Sequence, residues 1–186
     1  MALGGRFSEF TPPLIGANAY RLFAATLAVL ALGSACSLFR PELRLVSAHE
    51  WEEVLDSHQG AIVVVFVWAD WCRPCVEALP GLAELESGYE SEGVRFISLS
   101  LDDGHDKAAV QQAQRRLGEA GTGGEHYLLG LDFTEAIEAL NLSRIPAIVI
   151  YNQAGQRWAT VSGDAVDYRI FPEDLKGTLD AMLGGE

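Results

Sequence analysis

Two cysteines separated by two residues follow a continuous apolar run, and this arrangement constrains the fold more than any other feature of the chain. Residues 61–69 are apolar throughout, which is typical of a strand buried on both faces of a parallel-type sheet. Apolar residues recur at helical spacing from Arg73 onward, so Cys72 is predicted to lie at a helix N-terminus. The unpaired N–H groups and the dipole there favour a thiolate. We therefore expect Cys72 to be the nucleophile and Cys75 the resolving thiol.

The residues between and around the cysteines favour redox use over metal binding. Pro74 has a fixed φ and no N–H to leave unpaired in a first helical turn, so the two sulfurs can approach to bonding distance. A structural zinc site would need two further Cys or His ligands at short spacing. The third cysteine, Cys36, lies in an apolar leader, and the four histidines are scattered singly. The sequence thus predicts no metal site.

The first forty residues differ in composition from the rest of the chain. Arg21 precedes 14 uncharged residues, 22–35, which end in small side chains just before Cys36. This is the layout of an export signal. Three outcomes stay open: a lipoprotein leader with a lipid on Cys36, an uncleaved membrane anchor, or cleavage and release. Each predicts that residues 41–186 form one domain on the periplasmic or cell-surface side of a bacterial membrane.

The charge of the chain excludes one class of partner. Lys and Arg number 13 against 26 Asp and Glu, giving a formal net charge of −13. Such a chain repels a phosphate backbone, so we expect no nucleic-acid partner. A solvated acidic surface is the ordinary explanation of the excess.

The periodicity of apolar residues and the turn residues between segments predict an α/β fold with a mixed central sheet of about five strands and helices on both faces. Strands are predicted over 43–46, 61–69, 94–101, 126–129, 147–151 and 156–161, and helices over 48–57, from 73, and over 107–117, 133–140 and 172–183. Ser47 and Glu50 fit a capping box for the first helix. The turn at 102–104 is expected to supply the N-cap of the third helix. Pro80 is expected to kink the second.

At several of these segments the chain resembles the thioredoxin-like superfamily. The match is carried by the segment 66–75, by Pro80, and by Ile145 and Pro146 before an apolar strand. The resemblance implies a thioredoxin fold, with Pro146 as a cis-proline beside the disulfide and with the Ile145 backbone presented to an extended substrate. The export leader and the helix and strand inserted between Cys75 and Pro146 are similar to the TlpA/ResA group of membrane-tethered, periplasm-facing thiol-disulfide oxidoreductases.

Two positions depart from the pattern of those families. Phe66 occupies the place of the buried Asp of thioredoxins, and Ala78 occupies that of a Glu in ResA-like proteins. Glu77 is one residue off, which on a helix turns it about 100° away. It is expected to pair with Arg73 four residues earlier. We therefore expect water to accept the proton of Cys75.

The resemblance implies an extracytoplasmic thiol-disulfide oxidoreductase that reduces protein disulfides and is recharged by an upstream thiol donor, with no cofactor besides its own disulfide. The residues expected to bind substrate are Trp71, Arg73, Pro74, Ile145 and Pro146. A disulfide-donating oxidant of the same fold and a non-catalytic binding module stay open as alternatives. A peroxide-reducing redoxin is disfavoured because the P-x-x-x-T-x-x-C pattern is absent, and copper delivery because the cysteine spacing is wrong.

Overall fold

The computed structural model describes residues 41–162 and 172–184. The predicted leader, including Cys36, lies outside the described residues. The strands are β1 (Arg44–Val46), β2 (Ile62–Trp68), β3 (Val94–Ser100), β4 (Glu125–Leu129), β5 (Ala147–Tyr151) and β6 (Arg157–Ser162). The helices are α1 (Ala48–Ser57), α2 (Arg73–Tyr89), α3 (Lys107–Ala120), α4 (Phe133–Ala139) and α5 (Pro172–Leu183), and a 3₁₀ turn at Glu90–Glu92 follows α2.

All six strands form one mixed sheet in the order β1-β4-β3-β2-β5-β6. The first four run parallel, whereas β5 pairs antiparallel with β2 and β6 antiparallel with β5. This is the predicted α/β thioredoxin fold, and each of its six strands lies over one of the predicted strand segments. The short strand β1 joins the sheet at its edge, through parallel pairing with the distant β4.

Strand β2 lies at the centre of the sheet, between β3 and β5, and all seven of its residues are buried. Helix α2, which follows it, packs against α3 and α5. The largest fully buried side chains come from both the sheet and the helices and include Trp68, Leu79, Leu117, Ile148 and Leu179. Each buried aliphatic or aromatic side chain of this kind stabilises the fold by roughly 1.5–3 kcal/mol. The core therefore fixes the end of β2 and the start of α2 relative to each other.

Local capping residues define the starts of α1 and α3, but the N-cap of α3 is not the predicted one. The predicted capping box of α1 is present, since Glu50 N–H donates to Ser47 Oγ (3.3 Å) and Ser47 N–H donates to Glu50 Oε2 (2.8 Å). The N-cap of α3 is Asp106 and not a residue of the 102–104 turn. The prediction failed there because the carboxylate of Asp102 is buried and bonded to another loop. Helix α2 continues through Pro80.

No helix within 41–162 or 172–184 is both long and apolar enough to cross a bilayer.

Two adjacent glycines before β4 offer a test of the packing. A Cβ at Gly124 would overlap the Phe96 carbonyl oxygen and lie 2.9 Å from Glu86 Oε1, whereas a Cβ at Gly123 meets only Glu86 Oε1, at 3.6 Å. We expect Gly124→Ala to lower the free energy of unfolding by about 1–3 kcal/mol because backbone must shift to admit the methyl group. Gly123→Ala is the matched control, with a change of about 0.5 kcal/mol or less. Urea unfolding of both variants measures the difference, and equal effects would contradict this account of Gly124.

Candidate active site

The two cysteines of the motif form a disulfide at the N-terminus of α2. Cys72 is the N-cap residue, with extended φ and ψ of −86° and 94°, and its Cα lies 5.2 Å from that of Cys75. Its N–H donates to the Ala69 carbonyl at 3.1 Å, which closes the turn from β2 into the helix. Pro74 occupies the first helical turn, as predicted. The sheet therefore delivers the disulfide to the positive end of a helix dipole.

The two sulfur-bearing residues differ in exposure. Cys72 retains 7% of its accessible surface, whereas Cys75 retains none. Cys72 is therefore the one of the two that keeps a surface for a partner thiol or disulfide to approach. This difference in access supports the roles predicted for them, with Cys72 as the attacking group and Cys75 as the resolving one.

The cation inside the motif is paired. Arg73 Nε lies 2.8 Å from Glu77 Oε1 one turn along α2, which confirms the predicted ion pair. Both side chains are exposed, so the pair contributes only about 0.3–0.5 kcal/mol to stability. Its consequence for the site is electrostatic, because Glu77 offsets the positive charge closest in sequence to Cys72.

Pro146 immediately precedes β5, and its peptide bond with Ile145 is cis, as predicted. In the antiparallel register, Ala147 pairs with Val67, near the end of β2. Pro146 therefore lies at the same edge of the sheet as the loop that carries Cys72. Both Ile145 and Pro146 are buried. Their role in holding a substrate backbone stays a prediction.

Trp71 projects from the loop just before the disulfide. It is 60% exposed, and its ring meets the Phe133 ring edge to face, with centroids 5.1 Å apart. Phe133 is the first residue of α4, so the exposed indole is positioned by the segment inserted between the two halves of the fold. The sequence did not single out Phe133, because its contact with Trp71 joins residues far apart in the chain.

A buried carboxylate holds the same loop from beneath. Asp102, just beyond β3, accepts the Asp70 N–H through both carboxylate oxygens (3.1 and 3.0 Å) and the Ser100 hydroxyl at 2.8 Å. Asp70 in turn accepts from Arg116 Nε of α3 at 2.9 Å. These bonds connect the loop before Cys72 to both β3 and α3. No local pattern indicates this arrangement, since an Asp after a strand looks like an ordinary turn residue.

Burial raises the pKa of Asp102, while the bonds from Asp70 and Ser100 oppose that shift. The Asp70 carboxylate raises the pKa of Arg116, chiefly through their hydrogen bond. Two carboxylates therefore lie near the motif: that of Asp70, partly exposed and paired with a guanidinium, and that of Asp102 beyond β3, which is sealed from water.

Phe66 sits where thioredoxins carry a buried acid. Its side chain is buried and lines a small cavity with Leu79, Leu82 and His126. Burial lowers the pKa of His126 and so favours its neutral form. Release of the Cys75 proton to water stays a prediction. Among residues 41–162 and 172–184, no three His, Cys, Asp or Glu side chains are grouped so as to hold a metal ion.

A thioredoxin fold with an accessible cysteine at a helix N-terminus, bonded to a sealed one, defines a class of thiol-disulfide exchange proteins. The thioredoxin-like family model matches residues 60–156, more than half of the chain, and this chain belongs to that family. Its site and relatives make it a thiol-disulfide oxidoreductase of thioredoxin-like type.

Its relatives include proteins named thiol-disulfide oxidoreductase ResA. That of Geobacillus kaustophilus is 23% identical over 169 residues, covering 90% of this chain and 87% of the relative. That of Geobacillus thermodenitrificans is 27% identical and covers 56% of each chain.

Among solved structures, a secreted Mycobacterium tuberculosis disulfide oxidoreductase homologous to E. coli DsbE has a TM-score of 0.53 at 21% identity, covering 68% of this chain and 85% of its own. The thioredoxin domain of a Bacteroides vulgatus thiol-disulfide oxidoreductase has a TM-score of 0.53 at 18% identity, covering 69% and 84%. These likenesses are likenesses of fold.

The raised pKa of Asp102 predicts a pH dependence of stability. Asp102 is harder to ionise in the folded chain than at its ordinary pKa of 3.8, so the folded state holds its proton to higher pH than the unfolded state does. Its contribution to stability is therefore fully present below pH 3.8 and is lost as the pH rises through the folded pKa.

Asp102→Asn keeps one acceptor for the Asp70 N–H and removes the ionisation. We expect the free energy of unfolding of the wild type, minus that of the variant, to fall as the pH rises above 3.8 and then to level off. Urea unfolding at a series of pH values measures this difference. A difference that grows with pH would show that the hydrogen bonds to the carboxylate outweigh its burial.

Proposed function

We propose that this protein reduces disulfide bonds in other proteins on the outer side of a bacterial cytoplasmic membrane. The thiolate of Cys72 attacks one sulfur of the substrate disulfide and displaces the other, which takes up a proton. Cys75 then loses its proton and attacks Cys72, releasing the second substrate thiol. Two electrons and two protons pass to the substrate, and the Cys72–Cys75 disulfide remains. A thiol donor upstream must reduce it again.

The observation that carries this proposal is the unequal burial of the disulfide at the start of α2. Cys72 retains 7% of its accessible surface and Cys75 none, which favours the first cysteine for the intermolecular step. The Cα atoms of the pair lie 5.2 Å apart, so Cys75 is close enough to resolve the mixed disulfide. Trp71, Arg73 and Pro74 flank Cys72 in the chain, and Ile145 and Pro146 directly precede β5, where they would align the substrate backbone.

The charges near the motif favour reduction over disulfide donation. A strongly oxidising pair needs a strongly stabilised thiolate, which nearby unpaired cations would supply. Here Arg73 is offset by Glu77, and Arg116 is bonded to Asp70. The thiolate of Cys72 is then left with the helix N-terminus as its main support. The reduced form of the pair is therefore stabilised less, and the pair gives its electrons to a substrate disulfide more readily.

The location rests on the N-terminal sequence. Residues 22–35 and Cys36 have the layout of an export signal with a lipidation candidate, so the domain would be tethered by a lipid or by a retained anchor. The Mycobacterium tuberculosis disulfide oxidoreductase with a similar fold is a secreted protein, which is consistent with such a compartment. An oxidising surrounding explains why a dedicated thiol donor is required.

Variants that each lack one cysteine of the motif test the order of attack. We expect Cys75→Ser to accumulate a mixed disulfide with oxidised insulin at Cys72, because Cys72 still attacks and nothing resolves the adduct. Cys72→Ser is the matched control and should form no adduct at Cys75, because that residue is fully buried. Non-reducing gels and intact mass measure the adduct. An adduct at Cys75 in the control would reverse the assignment.

The reduction potential of the pair tests the direction. Equilibration in thiol redox buffers, with free thiols counted by alkylation mass shift, should give a value more reducing than about −200 mV, in the range of reductants and well below that of DsbA-type oxidants. A value near −120 mV would establish a disulfide donor instead. Failure of the bond to form reversibly would leave a binding module as the function.

A further inference from the structure

Exposed apolar side chains in the described part of the chain are few and concentrated. Leu45, Trp71, Phe133 and Trp158 are the large ones, exposed by 54%, 60%, 41% and 62%. Three of these four, all but Trp158, line a single groove of about 410 Å³. Scattered apolar residues on a surface need no explanation, but a cluster around one concavity marks a site of interaction.

The groove is built into the fold at the ends of three parallel strands. Leu45 belongs to β1, while Gly104 and Gly130 follow β3 and β4. A Cβ at Gly104 would come within 2.8 Å of Leu45 Cδ1, so a larger residue there would displace the groove wall. At the far wall Phe133 holds the Trp71 ring edge to face. Because Trp71 directly precedes Cys72, one wall of the groove is formed by the residue next to the reacting cysteine.

The rim of the groove has one sign of charge. Asp103, Asp132 and Glu135 are exposed on it, and none of the described residues that line it is a Lys or an Arg. Their carboxylate oxygens accept hydrogen bonds from backbone N–H groups. Asp103 accepts from the His105 N–H. In the α4 capping box, Asp132 accepts from the Glu135 N–H and Glu135 accepts from the Asp132 N–H. These bonds fix the carboxylates in place and leave their charge. His105 is the other titratable residue of the lining.

We infer that this groove, defined by Leu45, Trp71, Phe133 and the acidic rim, is the docking surface for the redox partner's polypeptide next to its reacting cysteine. The inference rests on the proposed function. The occupant it fits is an extended segment with one large apolar side chain and a Lys or Arg beside it. The apolar group packs between the two aromatic rings, and the cation meets the rim carboxylates and the ring faces.

Charge complementarity separates this occupant from two others. An anionic membrane surface would be repelled by the three rim carboxylates. A second copy of the chain would bring the same acidic rim against itself, because a two-fold contact pairs like with like. A basic, apolar peptide segment removes the repulsion and covers the exposed rings.

Matched disulfide peptides test the inference on the full-length chain. Three peptides share one Cys–Cys bond and differ in the two residues beside the attacked cysteine: Leu-Arg, Leu-Glu and Gly-Gly. We expect the reduced protein to react with the Leu-Arg peptide about tenfold faster than with the Leu-Glu peptide. That advantage should shrink at high salt, because the rim charges are exposed and screened.

Variants locate the preference. Phe133→Ala should lower the rate ratio of Leu-Arg to Gly-Gly peptide by about fivefold, since it removes one wall of the groove. Trp158→Ala, the exposed aromatic on β6 outside the groove, should leave that ratio unchanged. Asp103→Asn keeps the acceptor for the His105 N–H and should reduce the ratio of Leu-Arg to Leu-Glu, whereas Asp56→Asn, an exposed Asp of α1, should not.

The outcomes are separable from those of the proposed function. If the Gly-Gly peptide is not reduced at all, the reductase proposal fails. If it is reduced and the three peptides react at equal rates, or if Trp158→Ala acts like Phe133→Ala, the groove is not the docking surface. A concentration-dependent dimer in sedimentation that Phe133→Ala abolishes would overturn the inference in favour of self-association.

Discussion

The burial of β2 at the centre of the sheet is the constraint on which the site depends. Strand β2 pairs with β3 along one edge and with β5 along the other, and all of its side chains are buried. It therefore cannot shift without exposing the core. The turn after it therefore emerges at a fixed place, and α2 begins there with Cys72 as its N-cap. The residual exposure of Cys72 and the full burial of Cys75 follow from this geometry, because the helix start faces outward and its first turn packs inward.

A buried carboxylate adds precision that the hydrophobic core alone does not supply. Asp102 binds the Asp70 N–H, and Asp70 binds Arg116, so the loop before Trp71 is held by β3 on one side and by α3 on the other. The arrangement costs desolvation of Asp102, which the raised pKa reflects. It also fixes a loop that must present a reactive sulfur and an exposed indole in a constant relation.

Much of this fold could be predicted because its signals are local. Apolar runs, helical spacing, the Ser47–Glu50 capping box and the hairpin signal before β6 each depend on residues close in sequence. The N-cap of α3 was misplaced because several acids compete in the segment 102–106, and only packing shows that Asp102 is taken up elsewhere. The strand at 43–46 was predicted, but not its place at the sheet edge, because that place depends on pairing with β4, which no local pattern encodes.

By itself the sequence determined the disulfide motif at a helix start, the proline before β5 and the Arg73–Glu77 pair, since short spacing brings each of these groups together. Only the tertiary structure decided which carboxylate supports the loop, which aromatic ring flanks Trp71, and where exposed apolar side chains gather beside the disulfide. Those contacts join residues from separate strands and helices. The free energy that brings them together comes from the whole core and not from any segment read alone.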